Sequence, residues 1–144
     1  MNERRSLGGL FCDLEKAFDC VNHKILLDKL EFYGIRGKFL ELIQSFLQER
    51  YQKVYINKNT AHNDASSGWR TIKHGVPQGS ILGPLLFLIY INDLPLLAGI
   101  NSKIVPFADD TSTIITSSNQ EELKTVLYNT LSDINLWFKA NFYL

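Results

Sequence analysis

The chain reads as one α+β domain, an antiparallel sheet with helices packed on one of its faces, and three observations predict it. β-type runs at residues 7–14, 103–107 and 111–116 are separated by stretches with helical spacing. No internal repeat, low-complexity tract or linker interrupts the sequence. Its 144 residues, 45% hydrophobic and 12% aromatic, suffice for a single core and have the composition of a globular protein.

Taken in order, Leu10-Phe11-Cys12 leads a buried strand to Asp13, and the polar pair Glu15-Lys16 then turns the chain toward a helix. Asp13 is thereby expected at the carboxyl end of a strand. Asn22 can cap a helix that carries Ile25, Leu26, Leu30 and Tyr33 at helical spacing, with Gly34 as its stop. A second helix runs from Lys38 to about Gln48, with Phe39, Leu40, Ile43, Phe46 and Leu47 expected on its inner side. Tyr33, Phe39 and Phe46 read as core rather than as base-stacking platforms.

Val54 and Ile56 alternate with polar neighbours, residues 57–68 form a polar loop and residues 69–74 return, so a hairpin with a long tip is expected. Gly75-Val76-Pro77-Gln78-Gly79-Ser80 makes a stiff loop before an apolar helix from Ile81 to about Asp93, and Pro84 fits that helix's first turn. Such glycine-flanked loops let a ligand come close to backbone amides. Ser118 and Glu121 suit a capping box for a terminal helix with Leu123, Val126, Leu127, Leu131, Ile134 and Phe138 on one face.

Fifteen basic and fifteen acidic residues cancel, so the chain as a whole exerts no sequence-independent pull on a polyanion. Most of any grip on nucleic acid is therefore expected elsewhere. Cys12 and Cys20 lack CxxC or histidine partners and fit neither a zinc site nor a disulfide framework, which suits a reducing intracellular compartment, nucleus or cytoplasm. His23, His62 and His74 show no ligand spacing and read as solvated or locally hydrogen-bonded. The longest apolar run, residues 81–91, contains Pro84 and falls short of the roughly 20 residues that a membrane span needs.

Phe107-Ala108-Asp109-Asp110 sets two adjacent carboxylates at a reversal between two β-type runs. Neighbouring aspartates repel unless a cation or a hydrogen-bond network compensates, which suggests a metal ion. The plainer alternative is a tight turn, because Asp tolerates left-handed backbone. With Asp13 at another strand end, three acids distant in sequence can meet if the strands lie side by side. That is the requirement of a two-metal phosphoryl-transfer site, in which a few aspartates suffice for Mg²⁺.

Asp13-Leu14-Glu15-Lys16-Ala17-Phe18-Asp19, the run from Gly75 to Pro84, and Phe107-Ala108-Asp109-Asp110 resemble, in the same order, the A, B and C motifs of reverse transcriptases. Val21-Asn22-His23 after the first motif, and Trp137-Phe138-Lys139-Ala140-Asn141 near the end, are most similar to the polymerases of non-LTR (LINE-like) retrotransposons. The resemblance implies a polymerase palm over residues 1–144 that performs RNA-templated DNA synthesis, with two Mg²⁺ ions as cofactor and RNA template, DNA primer and dNTPs as partners.

Carried over by position, the resemblance makes Asp13 and Asp109 metal ligands and Asp110 a third, weaker acid. The Leu14 backbone would serve the metal, and the Leu14 and Glu15 backbone would lie near the triphosphate. Phe18 would be a steric gate against a ribose 2′-hydroxyl, and Gln78 and Gly79 would line the nucleotide and template side. Asp19 keeps the plainer reading of a residue that leads into a helix.

Against the family's fingers, palm and thumb, the sequence lacks most of the fingers, the thumb and the segment that grips the primer. Pro106 inside a strand is a further oddity, since proline cannot donate to a ladder. Two alternatives follow: an inactive or co-opted remnant serving as an interaction module for nucleic acid or protein, and an RNA-templated RNA polymerase, which shares palm acids but prefers a small polar gate residue.

Overall fold

The computed structural model describes residues 5–56 and 65–142. In chain order the elements are β1 (Ser6–Asp13), α1 (His23–Phe32), α2 (Lys38–Leu47), β2 (Tyr51–Gln52), β3 (Tyr55–Ile56), β4 (Ala65–Ser66), β5 (Arg70–Thr71), α3 (Leu82–Ile91), β6 (Ser102–Phe107), β7 (Asp110–Ser117) and α4 (Gln120–Asn141), with 3₁₀ turns at Ala17–Cys20 and Leu94–Leu97. The expected α+β order holds.

The main sheet is antiparallel in the order β1-β7-β6, so the last strand made lies between the other two. Strand alternation then decides its faces. Thr111, Thr113, Ile115 and Ser117 of β7 are buried, and α4 covers this side, with Leu123 and Leu127 against Gly8 of β1. A Cβ on Gly8 would stand 3.2 Å from both leucines, so its lack of a side chain lets the helix sit close to the strand. The opposite face carries Phe11, Asp13, Val105, Phe107 and Asp110 and is exposed. Pro106 lies in β6, an edge strand, where a missing N–H is tolerated.

The core is closed by helices. Leu26 and Leu30 of α1, Leu86 and Tyr90 of α3, and Ile134 of α4 are all buried. Lys29, its side chain only 14% exposed, pins the three helices together. Its Nζ donates to Tyr90 O at 2.6 Å and to Asp93 Oδ1 at 2.7 Å, and it lies 4.9 Å and 4.8 Å from the ring centres of Tyr90 and Trp137. Burial pushes the Lys29 pKa below the usual lysine value, while the hydrogen bond and charge of Asp93 act the other way. At the chain's far end Phe142 bridges to Val21.

Helix ends follow local chemistry where one residue fits. Asn22 Oδ1 accepts from the N–H of Lys24 at 2.9 Å and of Ile25 at 3.3 Å. Gly34, at φ 94°, ends α1 with its N–H on Glu31 O, while the Ile35 N–H reaches Leu30 O, a Schellman closure. The start of α4 differs from expectation. Asn119, not Ser118, is the N-cap and accepts from the Glu122 N–H at 2.8 Å, and Ser117 and Ser118 donate instead to Glu122 Oε2, each at 2.6 Å.

Three other expectations change. Phe39 is 75% exposed, because α2 turns Leu40, Ile43 and Leu47 inward and leaves Phe39 on its outer side, and Tyr33 is exposed as well. The hairpin after α2 forms two short ladders, β2 with β5 and β3 with β4, and most of its expected polar tip, residues 57–64, lies outside the described residues. His23 is buried, and its Nε2 donates to Gly75 O at 2.7 Å, a long-range rather than a local bond; His62 lies outside the described residues. Cys12 and Cys20 form no disulfide. Among the described residues no helix is long and apolar enough to cross a membrane.

Candidate active site

Asp13 is the last residue of β1 and Asp110 the first of β7, and the two are direct partners in the ladder. Directly opposed residues of an antiparallel pair share a face with Cβ atoms about 5 Å apart. The two exposed carboxylates therefore flank one another on the open side of the sheet. Phe107 closes the β6–β7 hairpin opposite Asp110, so the turn itself consists of Ala108 and Asp109. Ala108, at φ 52°, takes the left-handed backbone position, and Asp109 and Asp110 are not among the residues with positive φ. The turn's backbone need is met by alanine, so turn geometry does not explain the acids.

One detail differs from the sequence expectation: Asp110 lies within the strand rather than at the tip. Asp110, not Asp109, therefore stands directly across from Asp13. Among the described residues no three His, Cys, Asp or Glu side chains converge into a metal-binding group. A groove of about 290 Å³ beside the paired acids is lined by Phe11, Cys12 and Ser112. Burial raises the Cys12 thiol pKa above its ordinary value.

Beyond Asp13 the chain turns sharply. Lys16 adopts φ 57°, and the N–H groups of Asp19 and Cys20 close a 3₁₀ turn on Lys16 O. Leu14 is half-buried beside α4, whereas Glu15 and Lys16 are exposed, with 3.9 Å between their charged atoms, a pair that contributes little in water. The Phe18 ring is half-buried and stacked on Phe87 of α3, centroids 4.3 Å apart, so its orientation is fixed by packing.

The loop before α3 is fastened to this turn. Gly75 N–H donates to Val21 O and Val76 N–H to Phe18 O, both at 2.8 Å, and His74 Nδ1 donates to Asp19 O at 2.9 Å. Gly75 is required here: at φ +87°, an added Cβ would lie 2.8 Å from Asp19 O. Ser80 Oγ accepts from Gly83 N–H at 2.9 Å and donates to Pro77 O at 2.8 Å, tying the loop to the start of α3. Gln78 is exposed and donates to Asp19 Oδ1 at 3.0 Å, while Gly79 at φ +80° leaves open space around its Cα.

The site thus has two parts joined by residues 14–19: the acids at the sheet's end, and Gln78 with Asp19 in the loop. A cleft of about 620 Å³ extends from the second part, lined by Asp19, Arg50, Lys73, His74 and Gln78 among others. From the sequence alone Asp19 reads only as a residue that leads into a helix, and nothing singles out Arg50 or Lys73. For Asp19 a signal existed, since it directly follows Phe18 in the first motif; for Arg50 and Lys73 only the fold brings them to the loop.

Antiparallel strands that carry acids at one end, helices on the reverse face and a glycine-flanked loop beside them make a palm-like α+β domain. The chain belongs to the reverse transcriptase (RNA-dependent DNA polymerase) family, whose profile matches residues 1–141. It is similar to the RNA-directed DNA polymerase from mobile element jockey of Drosophila melanogaster, 31% identical over 125 residues that make up 83% of this chain and 13% of that protein. To the probable RNA-directed DNA polymerase from transposon X-element of Drosophila melanogaster it is 37% identical over 107 residues, 70% of this chain and 11% of the other. With the probable RNA-directed DNA polymerase from transposon BS of the same species, identity is 27% over 96% of this chain and 15% of that protein. These relatives come from mobile elements, in agreement with the retrotransposon kinship read from the motifs. The chain spans only 11% to 15% of their lengths.

Proposed function

We propose that this chain is the catalytic palm of an RNA-directed DNA polymerase that joins dNTP-derived nucleotides to a DNA primer's 3′-hydroxyl on an RNA template. The observation that carries the reading is the ladder pairing of Asp13 with Asp110, with Asp109 in the adjoining turn. Two carboxylates opposed on the ladder, with a third in the adjoining turn, offer hard oxygens of the kind Mg²⁺ takes, since that ion needs one or two carboxylates and fills its remaining positions with water and phosphate. When bound, two Mg²⁺ ions would activate the primer hydroxyl and neutralise charge on the triphosphate.

Asp13 and Asp109, with the Leu14 backbone, would hold the cations, and Asp110 would add a third acid. The Leu14 and Glu15 backbone would border the triphosphate. Phe18 would exclude a 2′-hydroxyl, a role supported by the stacking on Phe87 that stops its ring from swinging aside. Gln78 and Gly79 would face nucleotide and template. The free thiols of Cys12 and Cys20 suit a reducing intracellular setting.

Primer extension on an RNA template tests this, with this chain and with a version extended at both ends by its flanking coding sequence. Extension that falls by more than about a hundredfold in Asp109→Ala is the expected result, a larger loss than follows from changing residues that only orient a metal's ligands. Asp133→Ala, on an exposed stretch of α4, should leave it unchanged. Silence from both versions would sink the polymerase reading and leave the remnant.

A further inference from the structure

We propose that the hairpin built from β2 to β5 is a docking surface for single-stranded RNA that leads into the cleft beside Gln78. Its composition departs from that of the chain. Residues 50–73 hold five of the 15 basic side chains, Arg50, Lys53, Lys58, Arg70 and Lys73, and one of the 15 acidic ones, Asp64. The described part of this stretch, residues 50–56 and 65–73, carries four cations and no acid, a locally positive surface on a chain of zero net charge, which is where a polyanion would be drawn.

The same hairpin exposes aromatic rings that no core requires. Tyr51 is 62% and Trp69 66% exposed. Tyr51 pairs with Thr71 in the β2–β5 ladder, and Trp69 immediately precedes β5, so both rings belong to the same short ribbon. Lys53 Nζ lies 5.2 Å from the Trp69 ring centre, holding a cation beside the ring. Exposed aromatics interleaved with cations bind single strands, since bases stack on the rings while the cations meet phosphates, whatever the base sequence. At the hairpin's base Arg50 and Lys73 line the 620 Å³ cleft that ends at Gln78, giving the strand a continuous basic path. Among the described residues the one acid in that cleft is Asp19, and its carboxylate is engaged by Gln78.

The choice of RNA as the strand rests on the polymerase reading; binding itself rests on the hairpin's own chemistry. The experiment therefore measures binding without catalysis: fluorescence anisotropy of a labelled oligouridylate of about 16 nucleotides with the whole chain across a range of salt. Trp69→Ala is expected to weaken binding roughly tenfold or more, and Trp69→Phe to retain most of it. Lys53→Gln with Arg70→Gln should reduce the slope of log K against log salt by about 1.4, or about 0.7 for each phosphate that is no longer neutralised. Lys124→Gln with Lys139→Gln, exposed cations on α4, should change neither. All these positions are exposed, and circular dichroism of each variant is the check that it folds. Wild-type chain that fails to bind, or binding equally affected by the α4 pair, overturns the proposal. Primer extension by a chain whose affinity is insensitive to the hairpin changes also overturns it while leaving the polymerase intact. Binding that obeys these rules in a chain that never extends a primer upholds the surface and removes the polymerase.

Discussion

Oδ1 of Asp19 accepts a hydrogen bond from Nε2 of Gln78 at 3.0 Å, joining the turn after β1 to the loop before α3. Both residues are exposed, so the bond alone contributes modestly. The backbone around it is tighter. Val21, Phe18 and Asp19 carbonyls accept from Gly75, Val76 and His74, and Gly75 has no space for a methyl group.

Gly75→Ala should therefore cost roughly 2–4 kcal/mol, from left-handed strain plus collision with the Asp19 backbone. Gly34→Ala, also at positive φ but with nothing within 4 Å, carries the conformational strain alone, about 1–2 kcal/mol. Urea unfolding midpoints at unchanged slope compare the two, and equal losses would remove the packing argument.

Lys29→Ala removes the cation that donates to Tyr90 O and to the half-buried Asp93 carboxylate and should cost about 2 kcal/mol or more. Lys29→Met combined with Asp93→Leu should recover part of that loss, because an apolar pair carries no desolvation penalty. Thermal melts of the two variants decide it; a double variant worse than Lys29→Ala refutes the account.

Glu122 is held below the ordinary carboxylate pKa, first by the Ser117 hydroxyl and then by that of Ser118. A depressed folded-state value means the stabilisation is present above the unfolded pKa, about 4.5, and lost as pH falls through the folded one. Glu122→Gln should flatten the acid side of the melting-temperature profile below about pH 4.5. Parallel profiles for the two proteins would show the hydroxyl contacts to be inert.

Ala108→Gly should relieve left-handed strain in the β6–β7 turn and raise stability by roughly 0.5 kcal/mol, the strain slightly outweighing glycine's entropy in the unfolded chain. Ala108→Val should lower it by at least about 1 kcal/mol, and denaturant midpoints read both.

Much of the fold follows from local patterns. Asn22 and Gly34 bound α1 as their chemistry dictates, and the β-type runs before Asp13 and Asp110 do form strands, each with one face buried or half-buried and the other exposed. The misreadings arise where local rules leave a choice. Ser117, Ser118 and Asn119 are all competent caps, and the pairing of Ser117 with Ser6 extends β7 and moves the helix start onward. On α2, residues 39 and 40 both belong to helical stripes, and only contact with α1 decides which turns inward. The register that opposes Asp13 to Asp110, and the contact of Gln78 with Asp19, join residues far apart in sequence, and no local spacing carries either.

The central position of β7 has a consequence for synthesis. β1 leaves the ribosome ahead of its pairing strand, which follows about a hundred residues later, several seconds at ordinary elongation rates. Until then β1 has a bare edge, and Asp13 has neither neighbour nor site. Helices α1 to α3 can pack during that wait, but the acids can come together only once β7 has been made and has paired with β1.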